Sequence, residues 1–455
     1  MTTGTEWKRI LLFALPIMLG QLLQQLYSTV DGIVVGNFVS SGALAAVGSS
    51  MTMSMLLIAA SNGMSNGSCV VIAQFFGAGK EKDMRAAAAN IFLLMAGLGL
   101  VITVGSALTA GFTARAILAI EDPVIAEQAE LYLRIYSIGL IFTFLYNAVA
   151  AALRAVGDSR AVLYFLLVST VVNTGLDLLF VCVFRWGVAG AAWATVISQA
   201  ACIAVSVFYM FRRYPVFRFT SPKQLKYDRV KMRLCLEMGI PSTLQQLVIS
   251  SGHVLMQRLV NSFGEDMMAA VTVGSRFDHY CGIPILGIMQ ALASFAGQNT
   301  GAGRYDRVKR GLFRAVGMDI LFVAVISCCL YIFAEPLSRL FGVEGEALRL
   351  AVEYLRFLCF AYLIFATYIP FNGTLQGCGE ALAAACVSMT ALAVRVGLAY
   401  LLIRGFGCGY HWIWGTMAFG WAAALIVAVG RFSTGKWKTK SIVRKSSTEE
   451  APHEA

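Results

Sequence analysis

The heptapeptide Gln74-Phe-Phe-Gly-Ala-Gly-Lys80 recurs in the second half of the chain as Gln298-Asn-Thr-Gly-Ala-Gly-Arg304. Three more segments recur in the same order and at nearly the same offset: Pro16-Ile-Met-Leu-Gly-Gln-Leu with Pro241-Ser-Thr-Leu-Gln-Gln-Leu, Tyr132-Leu-Arg134 with Tyr354-Leu-Arg356, and Leu153-Arg-Ala-Val-Gly-Asp158 with Leu375-Gln-Gly-Cys-Gly-Glu380. One match can arise by chance, but four in the same order indicate an internal duplication. The sequence therefore predicts two related halves.

The composition is that of a membrane protein. Of the 455 residues, 58% are hydrophobic and 13% are charged, and the mean hydropathy is +0.71, whereas a soluble domain carries about 25% charged residues. A helix needs about 20 apolar residues to cross a bilayer. The apolar stretches predict twelve transmembrane helices, near residues 10–35, 44–74, 86–112, 130–153, 161–184, 187–211, 234–262, 267–298, 311–334, 350–375, 381–404 and 409–431.

Each half contains six spans, so both halves enter the membrane with the same orientation. Parallel repeats of this kind are related by an axis along the membrane normal, and transporters built from them bind substrate at the repeat interface. We therefore predict an all-α polytopic membrane protein with two pseudo-symmetric six-helix bundles around a central cavity. The predicted domains are an N-lobe at 1–211, a basic cytoplasmic linker at 212–233, a C-lobe at 234–431 and a cytoplasmic tail at 432–455.

The distribution of basic residues predicts the orientation. Of the 36 Lys and Arg residues, 26 fall in the N-terminal segment, the even-numbered loops and the tail, and five fall in the odd-numbered loops. Because cytoplasmic loops are enriched in Lys and Arg, both termini are expected in the cytoplasm of a multi-pass protein of the cell membrane. The net charge of +11 is dispersed over short loops, so it indicates topology and no nucleic-acid partner.

Two carboxylates lie inside predicted spans of the first half. Asp31 is deep in the first span, Asp177 is in the middle of the fifth, and Asn173 lies one turn before Asp177 on the same helical face. Short hydroxyl side chains accompany them: Ser28, Thr174 and Thr195. If these helices face one another, they form an oxygen-rich pocket that binds H⁺ at a carboxylate or coordinates Na⁺. The alternative is that the aspartates only hydrogen-bond across helices to fix their packing.

Other polar or helix-bending residues inside spans are weaker candidates. Pro16 predicts a bend in the first span, which is either mechanistic or a passive kink. Arg276 and Asp278 are two residues apart near the eighth span, so they do not face each other on one helix. Each is expected to pair elsewhere or to line the cavity.

The remaining charged residues, histidines and cysteines inside the spans show no pattern that predicts a metal site. Asp319 and Arg395 are either a structural ion pair or functional residues, and both interpretations stay open. His253 and His279 lie in the seventh and eighth spans, where hydrogen bonding or cavity lining is expected in preference to metal ligation. The eleven cysteines show no metal-binding spacing and are interpreted as small hydrophobic residues.

Several of these segments together resemble a known family. The run Leu22-Leu-Gln-Gln-Leu-Tyr-Ser-Thr-Val-Asp-Gly-Ile-Val-Val-Gly-Asn37, followed by Ala43-Leu-Ala-Ala-Val-Gly48, is similar to the first helix and loop of multidrug and toxic compound extrusion (MATE) transporters. The two Gln-x-x-Gly-Ala-Gly segments, Gly157-Asp158 and Asn173-x-x-x-Asp177 extend the resemblance along nearly the whole chain. The resemblance implies cation-coupled export of amphipathic, often cationic organic compounds, with H⁺ or Na⁺ as the coupling ion and no cofactor.

The resemblance also implies roles for individual residues. By position, four residues match the N-lobe ion site of the family: Asp31, Asn173, Asp177 and Thr195. Pro16 matches the proline at which the first helix bends. Some members carry acidic residues in the seventh and tenth spans, where this chain has no mid-span carboxylate and offers Gln245, Gln246, His253 and Asn372. This departure favours N-lobe coupling, as in the DinF-like bacterial branch.

Other functions are weighed against this expectation. A lipid or polysaccharide flippase of the same wider superfamily is the alternative, although such proteins often have a basic central cavity and this N-lobe presents aspartates. A membrane-embedded enzyme is disfavoured because the chain has four histidines and no HExxH motif. The repeats do not suggest the filter of a passive channel. Membrane lipids are expected partners, and the chain is expected to act as a monomer because twelve spans can enclose a cavity.

Overall fold

The computed structural model describes residues 1–39, 41–118, 120, 122–218 and 226–450, with side chains described except at 27–38, 41–45, 51–52 and 447–450. Within these ranges the secondary structure is helical and contains no strand. The α-helices are α1 (Glu6–Phe38), α2 (Ser41–Gly77), α3 (Glu81–Phe112), α4 (Pro123–Val156), α5 (Ser159–Asp177), α6 (Gly187–Arg213), α7 (Arg229–Asn261), α8 (Glu265–Gly301), α9 (Tyr305–Arg339), α10 (Gly345–Gly377), α11 (Ala381–Tyr400), α12 (Trp412–Ser433) and α13 (Ile442–Glu450).

Short helical segments of other types follow several of these helices. π-Helical turns continue α3 at Thr113–Ile117, α5 at Leu178–Val183 and α11 at Leu401–Gly405. The turns after α5 and α11 lie at equivalent positions of the two halves. 3₁₀ turns occupy Pro215–Phe217 and Lys436–Thr439.

The helices have the dimensions of membrane spans. In the described part of the chain, eleven helices are long and apolar enough to cross a bilayer by length and composition. The twelfth long helix, α7, has 33 residues but carries several polar side chains in its second half, so composition alone does not identify it. The predicted all-helical, twelve-span fold is confirmed.

The repeated heptapeptide forms the turn that ends α2 and α8. Gly79 and Gly303 both have a φ of 71°, in the left-handed region that favours glycine. The next backbone N–H in each turn donates back over the helix end, from Lys80 to the Phe75 carbonyl at 3.1 Å and from Arg304 to the Asn299 carbonyl at 2.8 Å. These are the bonds of a glycine C-terminal cap, which explains why Gly-Ala-Gly recurs.

The contacts divide the chain into two compact units. The C-unit comprises Met1–Met18 and Leu244–Thr448, and the N-unit contains Leu19–Thr243. Helix α1 thus changes unit two residues after Pro16, and α7 changes unit two residues after Pro241. These boundaries differ from the predicted domain limits at 211 and 234, because the first turns of α1 and α7 pack against helices from the opposite half of the sequence.

The first turns of α1 (residues 6–18) and of α7 (residues 229–243) each belong to the unit of the opposite half, and we call them the exchanged segments. Glycines of α2 and α8 allow these segments to pack closely. In the N-unit, a Cβ added at Gly63 would lie 2.7 Å from the backbone nitrogen of Thr243 in α7. In the C-unit, a Cβ added at Gly287 would lie 2.6 Å from Cγ of Met18 in α1. Gly63 and Gly287 are separated by the offset of the repeated heptapeptide, so each half accepts the first turns of the other half's leading helix at the same position of the repeat.

One ion pair links each exchanged segment to the unit that contains it, and the positive and negative partners are interchanged between the two pairs. In the N-unit, Nζ of Lys231 lies 2.9 Å from Oδ1 of Asp83. In the C-unit, Nη1 of Arg307 lies 3.3 Å from Oε1 of Glu6. Lys231 occupies the position of the repeat that Glu6 holds in the first half, and Arg307 occupies that of Asp83. The two pairs are therefore equivalent in position, with their charges reversed.

Candidate functional site

Helix α5 buries the amide and carboxylate that the sequence singled out. Asn173 and Asp177 are each 1% exposed and lie one turn apart on the same face of the last turns of α5. Asp158 begins this helix by accepting a hydrogen bond from the Ala161 N–H at 3.1 Å. The π-helical turn Leu178–Val183 follows Asp177 directly. A buried carboxylate therefore lies at the point where the regular helix ends.

Helix α6 supplies the predicted hydroxyl. Sγ of Cys202 lies 3.5 Å from the carbonyl oxygen of Phe165, and a Cβ added at Gly190 would lie 3.1 Å from Cβ of Phe180. These contacts set α5 and α6 antiparallel, so Thr195, between them on α6, lies level with Asn173. Thr195 is 5% exposed.

Hydrogen bonding within this group leaves the amide of Asn173 unused. The Thr195 hydroxyl donates to the Ala191 carbonyl at 3.1 Å. Nδ2 of Asn173 is buried and has no hydrogen-bond acceptor among the described residues. Carboxylate, amide and hydroxyl together offer the oxygen ligands suited to a hard cation, or a carboxylate that binds a proton.

The fourth predicted member of the site lies outside the described side chains. Asp31 belongs to α1, whose side chains are not described from 27 to 38. The structure thus brings Asn173, Asp177 and Thr195 together on two packed helices, and the participation of Asp31 stays a prediction. Pro16 lies inside α1, two residues before the boundary between the units.

A polar seam between α2 and α4 was not predicted. Nδ2 of Asn147, which is 8% exposed, donates to Oγ of Ser61 at 2.8 Å. One turn further along α2, Nη2 of Arg154 donates to Oγ of Ser65 at 3.2 Å. The i, i+4 spacing of Ser61 and Ser65 in an apolar helix is the sequence signal that could have revealed this seam.

The polar candidates of the C-unit form separate contacts. Nε2 of Gln245 and Nδ2 of Asn372 each donate to Oγ of Ser388 at 2.6 Å. This links α7, α10 and α11 through a serine that was not predicted. Gln246 is half-buried, and His253 is exposed on the protein surface.

Arg276 and Asp278 point to different partners. The guanidinium of Arg276 lies 5.4 Å from the ring centroid of Phe341. The Tyr362 hydroxyl donates to the Asp278 carbonyl at 2.7 Å and also contacts its carboxylate.

Asp319 and Arg395 do not form an ion pair. Asp319 is fully buried in α9, and neither of its carboxylate oxygens has a hydrogen-bond partner among the described residues. Nε of Arg395 also has none. The structural-pair interpretation is therefore wrong. Arg395 occupies the position of the repeat that Asn173 holds in the first half, so the C-unit carries a cation where the N-unit carries the buried amide.

No metal site is evident in the part of the chain that the structure describes, where no three His, Cys, Asp or Glu side chains cluster. All eleven cysteines are free thiols.

Comparisons with known proteins cover nearly the whole chain. The MatE family model matches it twice, at residues 16–179 and 241–401, which agrees with the duplication. The probable multidrug resistance protein YpnP of Bacillus subtilis is 30% identical over 381 residues, 84% of this chain and 84% of that protein. The probable multidrug resistance protein NorM of Thermotoga maritima is 24% identical over 455 residues, 97% of this chain and 96% of that protein.

Solved structures share the fold. An outward-facing multidrug resistance MATE family transporter of the MOP superfamily has a TM-score of 0.88 at 24% identity, over 96% of this chain and 97% of its own. A MOP superfamily transporter from Pyrococcus furiosus, described as having a binding pocket of reverse polarity, gives the same TM-score, identity and coverage.

Proposed function

Because the chain belongs to the MATE family of multidrug efflux transporters, which are not enzymes, we propose that it is an antiporter that exchanges H⁺ or Na⁺ for amphipathic, often cationic organic compounds. The resemblance seen in the sequence is confirmed, and the protein is a multi-pass membrane transporter of small molecules. The coupling ion, its site and the chemical class of the substrate are the proposal.

The observation that carries the proposal is the group on α5 and α6. Asp177 is a 1% exposed carboxylate inside a membrane span, with Asn173 one turn away and Thr195 level with them on the neighbouring helix. An ionisable side chain inside a membrane is costly and usually serves ion or proton transport. We propose that Asp177, Asn173 and Thr195, together with Asp31, bind the coupling ion.

Coupling requires the ion to bind the two access states with different affinity. In alternating access, the N-unit and C-unit would expose the substrate first to one side of the membrane and then to the other. The ends of the exchanged segments, just beyond Pro16 and Pro241, are the proposed bending points, because proline removes a helix hydrogen bond. An entering cation contributes about 2.3 kcal/mol per 100 mV of membrane potential.

Transport into proteoliposomes with separately imposed pH and Na⁺ gradients tests the proposal. We expect one gradient to drive uptake of a cationic dye such as ethidium, and Asp177→Asn to abolish that uptake. Asp319→Asn is the comparison variant, because Asp319 is an equally buried carboxylate in a span of the C-unit. If coupling is confined to the N-unit, this variant should retain gradient-driven uptake. Dye uptake by Asp177→Asn at the rate of the unaltered protein would refute N-unit coupling.

The flippase alternative gives a different result in the same vesicles. It predicts translocation of lipid-linked sugars and no dye uptake under either gradient.

We also propose that both termini lie in the cytoplasm and that the chain acts as a monomer. The orientation rests on the 26 basic residues of one side against five on the other. Labelling of a cysteine introduced in the tail by a membrane-impermeant reagent, before and after lysis of cells, would test the orientation.

A further inference from the structure

A basic cavity lies at the start of α9 in the C-unit. Its volume is about 510 Å³, and it is lined by residues 303–307, 310 and 438. We call it the basic pocket. One acidic side chain, Asp306, belongs to this lining, together with four cationic ones: Arg304, Arg307, Arg310 and Lys438. Its ligand should therefore be an anion.

The internal ion pairs do not neutralise this pocket. Three guanidinium groups approach the single carboxylate of Glu6, from Arg307 at 3.3 Å, Arg310 at 3.1 Å and Arg314 at 2.7 Å. Glu6 thus compensates only one of these three positive charges, and Asp306 adds one carboxylate to the lining. Arg304 donates to a neutral group, the Thr2 carbonyl at 2.7 Å.

Arg307 is the most buried cation of the lining, whereas Arg304, Arg310 and Lys438 are exposed. Arg307 is 11% exposed, and its Nε is buried with no acceptor in the described structure. Its Nη atoms donate to Glu6 and to the Met1 carbonyl, both at 3.3 Å. Guanidinium groups present donors in a planar fork that fits phosphate oxygens, and the exposed arginines of the lining, Arg304 and Arg310, can present this fork to a phosphate.

Aromatic packing places the fourth cation. Trp437 is fully buried, stacks on Phe432 at 5.0 Å between ring centroids and meets the Tyr305 ring at 5.9 Å. These contacts hold the 3₁₀ turn Lys436–Thr439 beside the first turn of α9, so that Lys438 lines the pocket. Trp437 thus anchors the turn, and Lys438 contributes its positive charge to the lining of the pocket.

The surface next to the pocket fits a lipid tail. Phe313, Gly317 and Leu321 follow Arg310 at intervals that keep them on one face of α9, and α9 is a candidate membrane span. Phe313 and Leu321 are 61% and 66% exposed, and nothing lies within 4 Å of a Cβ added at Gly317. An exposed apolar face, with open space at Gly317 between Phe313 and Leu321, therefore runs along α9 from the cationic group. We call it the groove.

The duplication does not require these charges. At the equivalent positions of the N-unit, Asp83 replaces Arg307 and Ala86 replaces Arg310. The turn itself is preserved, since Gly79 and Gly303 share the same φ. Arg307 and Arg310 are thus specific to the second half, whereas the N-unit retains Lys80 at the position of Arg304 and has Lys82 at the position of Asp306.

We propose that the basic pocket binds the phosphate of an anionic phospholipid, with an acyl chain along the groove at Gly317. Basic pockets beside transmembrane helices on the cytoplasmic side suit such headgroups, and the pocket lies on the side that is predicted to be cytoplasmic. The groove favours a lipid over free phosphate, because an acyl chain makes apolar contacts with this surface and a soluble anion does not.

Binding of fluorescent phosphatidylglycerol to the full-length protein in phosphatidylcholine nanodiscs tests the proposal. We expect Arg304→Gln and Lys438→Gln each to weaken binding about fivefold. Lys80→Gln, at the position equivalent to Arg304 in the N-unit, should change it less than twofold. Unchanged thermal unfolding of the variants in phosphatidylcholine alone would show that they fold.

A groove variant distinguishes the two sources of phosphate. Gly317→Leu should weaken phosphatidylglycerol binding, because the added side chain fills open space that the acyl chain needs. Competition by inorganic phosphate at concentrations equal to those of the lipid would overturn the lipid assignment. Equal binding of phosphatidylcholine, or binding unaffected by all three variants, would overturn the site itself.

Discussion

The close approach of α2 and α7 in the N-unit can be tested by adding one methyl group. A Cβ built on Gly67 would lie 2.5 Å from the carbonyl carbon of Met238 and 2.7 Å from Cα of Gly239. Both are backbone atoms, so no side chain can rotate away and the two helices would have to separate. Gly67→Ala therefore forces apart the segment through which α7 is exchanged into the N-unit.

The expected magnitude follows from two opposing contributions. Overpacking of a well-packed site costs about 1–3 kcal/mol, and a backbone obstacle places this case near the upper end. Replacing glycine by alanine inside a helix returns about 1 kcal/mol through helix propensity. The expected net loss is about 2 kcal/mol in the free energy of unfolding. Gly105→Ala is the matched control, because Gly105 lies inside α3 with nothing within 4 Å of its added Cβ, and it should be neutral or stabilising.

Thiol labelling during thermal unfolding in detergent measures this difference. Cys69 on α2 and Cys235 on α7 are 6% and 0% exposed, so they should react only when the N-unit unfolds. Three exposed thiols are blocked beforehand: Cys328, Cys329 and Cys386. Gly67→Ala should expose the buried thiols at a lower temperature than the unaltered protein, and Gly105→Ala should not. Equal unfolding temperatures for the two alanine variants would refute the close packing of α2 and α7.

Two further predictions concern polar contacts that long-range packing creates. Lys231→Met should lower the free energy of unfolding by about 2–3 kcal/mol, because it removes a 1% exposed partner of Asp83. Adding Asp83→Asn should recover part of this loss in a double-mutant cycle. Strictly additive effects of the two substitutions would contradict the ion pair. Ser388→Ala should cost about 2–3 kcal/mol, because the amides of Gln245 and Asn372 lose their shared acceptor; Thr390→Ala on the exposed face of the same helix should cost less than about 0.5 kcal/mol, and chemical unfolding of both variants checks the difference.

Much of the architecture was predictable because its signals are local. Runs of apolar residues identify most spans, and the Gly-Ala-Gly turns identify the repeat because a left-handed backbone favours glycine. The helix that composition does not identify as a span is α7. The repeat supports the predicted span at 234–262, since its Pro241 segment matches the Pro16 segment of α1.

The candidate site was predictable in part. An aspartate and an asparagine one turn apart in an apolar helix already indicated a polar face at Asn173 and Asp177. The sequence did not show which oxygen ligands on other helices lie level with them, because that depends on where α5 and α6 cross. Ser388 had no sequence signal, since a serine in an apolar helix more often bonds to its own backbone.

The sequence by itself determined the membrane-spanning helices, their duplication and the two carboxylates within spans of the first half, Asp31 and Asp177. Hydropathy, turn glycines and repeats are properties of short segments. Tertiary structure decided that α1 and α7 begin in the unit of the opposite half. It also decided that Glu6 pairs with a cation, Arg307, and that Lys231, at the equivalent position of the repeat, pairs with an anion, Asp83. Those outcomes depend on helix surfaces that are far apart in the chain, where close backbone approach at glycines such as Gly63 selects the partner. No local pattern carries that information.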